Sequence, residues 1–233
     1  MFAAKQIFLG RSAKAAAPTA RSYVQDGLIA MWDGIENAGW GVHDAAATTW
    51  KDLIGGNDFS IPNAYSFGDK SMHLQTGASP VRINAQRSLQ PVTVEVLFNN
   101  KSRTGETLFI GWKVVSSSWA GNYTVFYNGK ICTAVNNVYS AMSCTSAQLL
   151  SPNCRTFVCA SGNVRCYLNG SQVTSTSFSD SMRGNTDTLA LNPRGTEYYC
   201  DGNFYFIRAY SRALTAEEIA ANYAIDKERF NLP

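Results

Sequence analysis

Short runs of β-forming residues follow one another along this chain, and each is closed by a turn signal. Strands are expected near 27–32, 71–75, 92–98, 107–114, 123–127, 131–134, 155–160, 164–168, 172–176, 187–191 and 203–210. Asn99-Asn100, Tyr127-Asn128-Gly129, Gly162-Asn163, Asn169-Gly170 and Gly184-Asn185 punctuate them. Many short strands with such punctuation predict a sandwich or barrel. One segment departs from the pattern. Thr215 and Glu218 have the spacing of a capping box, and Ile219 and Tyr223 follow at helical spacing, so a single helix is expected over 215–229. At 233 residues, 45% of them apolar, the chain suits one all-β domain with a substantial core.

Charge is scarce and unevenly placed. Charged residues make up 16% of the chain, against roughly 25% in an average domain. Lys5, Arg11, Lys14 and Arg21 all precede the first acid, Asp26, and beyond residue 24 there remain 16 basic and 17 acidic side chains. A basic N-terminal arm (1–24) on a nearly neutral body (25–233) is therefore expected, with no nucleic-acid groove in the body. The apolar run Ile7-Phe8-Leu9 is too short for a signal-peptide core, and no run is long enough to span a membrane. Phe2, Ile7, Phe8 and Leu9 would bury against a partner while Lys5, Arg11, Lys14 and Arg21 meet its acidic groups. Ala15-Ala16-Ala17-Pro18-Thr19-Ala20 reads as a linker.

The chain's closing stretch, Phe206-Ile207-Arg208-Ala209-Tyr210-Ser211-Arg212-Ala213-Leu214-Thr215-Ala216-Glu217-Glu218-Ile219, resembles that of laminin-G-like domains in the concanavalin A-like lectin/glucanase superfamily. Gly27–Asn37, Thr49–Asp58 and the Tyr167-Leu168-Asn169-Gly170 hairpin resemble the same family in order and spacing. The resemblance covers residues 25–230 and implies a two-sheet jelly-roll sandwich with one short C-terminal helix. Trp32 and Trp50 match family positions that pack in the core. The resemblance is closest to domains of secreted bacterial and bacteriophage virion proteins.

Glycoside hydrolases of the superfamily carry paired carboxylates in a Glu-x-Asp-x-x-Glu pattern along a strand. Here Glu95 is followed by Leu97 and Asn100 where the other two acids belong, and no Asp or Glu occurs between Glu106 and Asp180. No hydrolytic activity is expected, and Glu95 reads as an outward-facing strand residue. The family resemblance also implies a calcium ion, for which Asp33, Asn37 and Asp201 are candidate ligands because loop oxygens suit that ion; Asp33-Gly34 and Asp201-Gly202 equally read as turn starts.

Sugars offer apolar C–H faces to aromatic rings and hydroxyls to neighbouring amides. Trp112, Trp119, Asn122, Tyr123, Asn136, Asn137 and Tyr139, in or beside the loops after the strand at 107–114, are the candidate glycan contacts, with Trp40 in the long early connection. The six cysteines all lie in the second half; a Gly162-Asn163 turn would set Cys159 opposite Cys166, yet free thiols are expected, as suits assembly in a reducing cytoplasm. The expected function is a non-enzymatic structural or adhesion module: a phage virion accessory or fibre component whose arm joins other virion proteins and whose sandwich faces outward, toward cell-surface glycan. A secreted carbohydrate-binding protein and a glycosidase are the alternatives, and homo-oligomerisation is compatible with each.

Overall fold

The computed structural model describes residues 16–62, 65–74, 92–100, 148, 150–177, 191 and 201–233 in full, and the backbone alone of 81–82, 107–112, 122–127, 130–135, 138–143 and 189–190. The strands are β1 (Leu28–Asp33), β2 (Thr49–Trp50), β3 (Phe59–Ser60), β4 (Ser66–Phe67), β5 (Met72–Leu74), β6 (Val81–Arg82), β7 (Thr93–Asn100), β8 (Thr107–Trp112), β9 (Asn122–Tyr127), β10 (Lys130–Val135), β11 (Val138–Ser143), β12 (Asn153–Ala160), β13 (Asn163–Leu168), β14 (Ser171–Ser177), β15 (Leu189–Leu191) and β16 (Gly202–Tyr210). A helix, α1 (Ala216–Phe230), follows β16, and Gln148 and Leu150 are also helical.

Eight strands form an antiparallel sheet in the order β14-β13-β12-β7-β16-β5-β4, with β1 also paired to β16. The long β16 allows this: Gly202–Phe204 pair with β5, and Phe206–Tyr210 pair with β1. A six-stranded sheet runs β11-β10-β9-β8-β15-β6, and β2-β3 make a small ladder. Leu191 of β15 belongs to the same buried cluster as Trp32, Val94, Val96, Phe98, Phe157, Phe204 and Ile207. This cluster is the filling between the sheets, and the expected sandwich is the observed one.

Side chains alternate across a strand, but the eight-stranded sheet is buried on both faces. On β7, Val94, Val96 and Phe98 turn inward, while Thr93, Glu95 and Leu97 turn outward and are also buried. On β16 a bulge between Phe204 and Phe206 resets the alternation, so Ile207 and Ala209 face inward and Phe206, Arg208 and Tyr210 outward. The outward face is covered by α1 and by the segment before β1: Tyr23, Met31, Val158, Tyr167, Tyr210, Leu214 and Ile219 form a second apolar cluster there, and Leu97, Cys154, Phe206 and Phe230 a third.

The helix starts as expected. Thr215 Oγ1 accepts the Glu218 N–H, and the Glu218 carboxylate accepts the Thr215 N–H. Asn231, in the left-handed conformation, closes its other end.

Several expectations are corrected. The hairpin between β12 and β13 turns on Ser161-Gly162, both at positive φ, rather than on Gly162-Asn163. Cys159 therefore stands opposite Val164, and Cys166 opposite Phe157, so the facing cysteine pair does not form. Tyr139, expected in or beside a loop, lies on strand β11. Thr19–Val24, assigned to the arm, are packed on the body: a 3-10 turn at Ala20–Ser22 is capped by Thr19, and Ala20 and Tyr23 are buried. Asp33-Gly34 does start a turn, with Asp33 Oδ1 accepting the Ile35 and Glu36 N–H groups, whereas Gly202 opens β16; both glycines also allow close approach, since a β-carbon would lie 2.3 Å from Lys70 O at the first and 2.1 Å from Asn99 O at the second.

Candidate functional site

The densest collection of chemistry-bearing side chains lies between the outward face of the eight-stranded sheet and α1. Arg208, on β16, donates from Nε to Glu95 Oε2 (2.8 Å) and from both terminal nitrogens to the Asp226 carboxylate (2.7 and 2.8 Å). Its guanidinium lies 3.9 Å from each of the Tyr23 and Phe206 ring centres, a position that suits a weakly hydrated planar cation. Asn222, on α1, donates to Glu95 Oε2 and to the Tyr210 hydroxyl, and its carbonyl accepts the Val24 N–H.

A second centre adjoins the first. Arg229 is paired with Asp33 and with Glu36 (2.9 Å), and also donates to the Tyr23 hydroxyl (3.1 Å). Glu36 in turn accepts the N–H groups of Ala20 and Gly41. Four carboxylates thus share two guanidiniums in a dry interior. Burial pushes the Glu95 carboxyl above its ordinary range; Arg208 draws it down, but Asp226 competes for the same cation and the balance stays upward. Burial likewise raises Asp33 against the pull of Arg229. Burial also raises the Tyr23 hydroxyl, keeping it neutral.

With Arg208 and Asp226 fully buried and Glu95 1% exposed, no substrate reaches these carboxylates. The network is a clamp joining β1, β7, β16, α1 and the Thr19–Val24 segment. Glu95 faces outward on its strand, as expected, but α1 covers that face, and Glu95 is a buried ion-pair partner. Nothing in the sequence reading pointed to this cluster, whose polar positions break the apolar stripe by which a packed helix is recognised.

The proposed calcium ligands do not converge. Asp33 Oδ1 accepts the N–H groups of Ile35 and Glu36, and the rest of its carboxylate is held by Arg229. The Asn37 amide is engaged on both sides with the Asp44 backbone. Asp201 lies at the start of β16 beside His73, its Oδ1 3.8 Å from Nε2. The structure thus gives Asp33 and Asn37 a structural task in place of the ion. Asp52, within the Thr49–Asp58 stretch that resembles the family, organises the turn after β2 by accepting N–H groups from Met31, Ile54, Gly55 and Asn57.

Of the aromatic candidates, Trp112 and Asn122 are register partners at the end of the β8–β9 ladder, and the next rungs pair Tyr123 with Gly111 and with Ala134, which faces Tyr139. These four positions share one end of the six-stranded sheet, on strands rather than loops. Trp119, Asn136 and Asn137, and the arm residues Phe2, Lys5, Phe8, Arg11 and Lys14, lie outside the described residues. Trp40 is not with the group. It packs half-buried on the outer cluster with the Arg21 guanidinium 4.0 Å above its ring, which pins Arg21 to the body. Trp32 and Trp50 are fully buried, as expected, and donate their indole N–H groups to Asn57 O and Asp33 O.

Two packed antiparallel sheets with a helix clamped outside one of them define a lectin-type sandwich. A family model described as the concanavalin A-like lectin/glucanases superfamily, laminin-G type, matches residues 75–220, and the chain belongs to that family. Comparison with curated proteins by sequence finds no match. Among solved structures the chain is similar to Trypanosoma rangeli sialidase in complex with sialic acid, at 15% identity and a TM-score of 0.64, over 90% of this chain and 33% of the sialidase. It is also similar to the botulinum neurotoxin serotype D binding domain, at 14% identity and a TM-score of 0.63, over 85% of this chain and 52% of that domain. The chain thus spans about a third of the first and about half of the second, and at these identities the likeness is one of fold.

Among the described residues no helix is long and apolar enough to cross a membrane.

Proposed function

We propose that this chain is a non-enzymatic adhesion module, a glycan-binding sandwich joined through its N-terminal arm to a larger particle, in the role of a phage virion accessory or fibre component. The observation that carries the reading is where the carboxylates are. No strand of the six-stranded sheet contains Asp or Glu, and on the eight-stranded sheet Asp33 and Glu95 are sealed beneath α1 in ion pairs with arginine. Glycoside hydrolysis needs two carboxyl groups flanking an accessible bond, and this distribution supports recognition without cleavage. The likeness to a toxin binding domain supports the same reading. The segregated charge of residues 1–24 supports a docking arm, now rooted at Thr19; its partners would be other virion proteins. A secreted carbohydrate-binding protein is the alternative setting for the same sandwich.

The test is to mix the full chain, and a chain lacking residues 1–15, with polysaccharides and with host-cell lysate containing assembled particles. The full chain should bind glycan, release no reducing ends and co-sediment with particles, and the shortened chain should lose only the last property. Hydrolysis that disappears in Glu95→Gln would overturn the non-enzymatic reading.

A further inference from the structure

Where α1 stops covering the eight-stranded sheet, the outward face carries a row of polar residues. Ser66 on β4 is in register with His73 on β5, His73 with Asn203 on β16, and Asn203 with Asn99 on β7. Their strand neighbours Phe67, Met72, Phe204 and Phe98 all belong to the inner core cluster, so the four residues share the outward face. Ser66 is exposed and the other three are half-buried.

The row is already ordered by its own hydrogen bonds. His73 Nδ1 lies 3.1 Å from Gly202 O and 3.2 Å from Asn203 Oδ1, two acceptors, so Nδ1 carries the proton. Asn203 Nδ2 donates to Asn99 Oδ1 (3.2 Å), and Asn99 Nδ2 donates to Leu150 O (3.1 Å). Each contact fixes which way an amide points. Each amide group has two N–H donors and a carbonyl with two lone pairs; Asn203 also hydrogen-bonds the Tyr205 side chain, so the relay leaves donor and acceptor capacity on Asn99 and acceptor capacity on Asn203. Apolar surface borders the row: Leu150, 43% exposed, at the Asn99 end, and the half-buried Tyr205 ring, braced edge-on by Phe230. Four strands at about 4.8 Å spacing give the row a length of roughly 14 Å.

We infer that this row is a binding site for a neutral oligosaccharide laid across β4, β5, β16 and β7, with hydroxyls on the Asn99, Asn203 and Ser66 side chains and a C–H face toward Tyr205. The inference rests on the glycan-binding reading and places the ligand on the helix-bearing sheet, away from the aromatic positions at the end of the six-stranded sheet. Fixed amides favour a polyhydroxylated ligand because the ordering cost is met before binding. The row's members are amide, hydroxyl and imidazole, and the Lys70 ammonium is turned to Arg229 O, so among the described residues of the row nothing selects an anionic sugar. The Asp201 carboxylate next to His73 disfavours one.

The test uses the full chain, labelled with 15N, titrated separately with cellohexaose, chitohexaose and maltohexaose. At least one should shift the side-chain amide signals of Asn99 and Asn203, and Asn99→Ala and Asn203→Ala should each weaken binding about 10-fold, the equivalent of one hydrogen bond of about 1.4 kcal/mol. The wild-type amide shifts keep the test valid even if a variant folds poorly. Saccharide binding that moves neither amide and survives both substitutions would overturn the row and leave the glycan reading standing. Failure of all three sugars to bind would overturn the row together with that reading.

Discussion

Arg208 holds Glu95 and Asp226 at once, with its plane between Tyr23 and Phe206. Removing one member of a buried pair leaves the others charged in a dry interior, which costs more than the pair contributes. Arg208→Met is expected to destabilise the protein by about 3–5 kcal/mol, measured by urea unfolding. Glu95→Gln should cost less, about 1.5–3 kcal/mol, because Arg208 keeps its two bonds to Asp226. Equal losses would mean the two carboxylates do not share the cation as described. The surface pair at the helix start behaves differently. Arg212 hydrogen-bonds Glu218 and lowers its carboxyl from 4.5 to about 2. Since the folded value lies below the unfolded one, the stabilisation is complete above about 4.5 and is lost as pH falls toward about 2. In Glu218→Gln the acid side of the stability–pH curve should flatten over that interval, and an unchanged slope would contradict the assignment.

At the scale of elements, α1 and the Thr19–Val24 segment form one unit with the outer face of the sheet. Val24 donates to Asn222, Ala20 to Glu36, and Tyr23 lies against both arginines. Two truncations separate arm from body. If residues 1–15 are the docking arm, deleting them should change stability by no more than about 0.5 kcal/mol. Deleting residues 1–24 removes a buried tyrosine and should cost about 3 kcal/mol or more. Thermal melts of the two forms check this, and matching melting temperatures would place the boundary back at residue 25. The helix itself was readable at its ends, because a capping box spans only four residues and acts locally. Its buried stripe was not, because Ile219 and Phe230 alternate there with Asn222, Asp226 and Arg229, which look like solvent-facing residues until their partners are known.

For the molecule as a whole, the thiols report on the compartment in which it folds. Cys154, Cys159 and Cys166 are buried, and burial raises the Cys154 thiol well above its ordinary value, which makes it a poor nucleophile. Thiol titration of the unfolded, unreduced protein should count at least these three and, for a chain assembled in a reducing cytoplasm, close to six. A count of two or fewer would favour the secreted alternative. The sequence by itself determined the two-sheet sandwich, the positions of most long strands, the C-terminal helix with its cap and the burial of Trp32 and Trp50. The strands and the capped helix follow from local periodicity and turn chemistry, whose information lies within a few residues, while the choice of two sheets over a barrel and the burial of the two tryptophans are what the family resemblance implies. The tertiary structure decided the rest. It chose Ser161-Gly162 over Gly162-Asn163 as the turn, because both dipeptides suit a turn and only strand pairing selects the register. It brought Glu95 to Arg208 across 113 residues and Arg229 to Asp33 across 196. It also set Ser66, His73, Asn203 and Asn99 side by side from four separate strands. Contacts of that separation leave no periodic trace in a chain, since a lone buried charge and a lone solvated one have the same sequence signature until the fold supplies the partner.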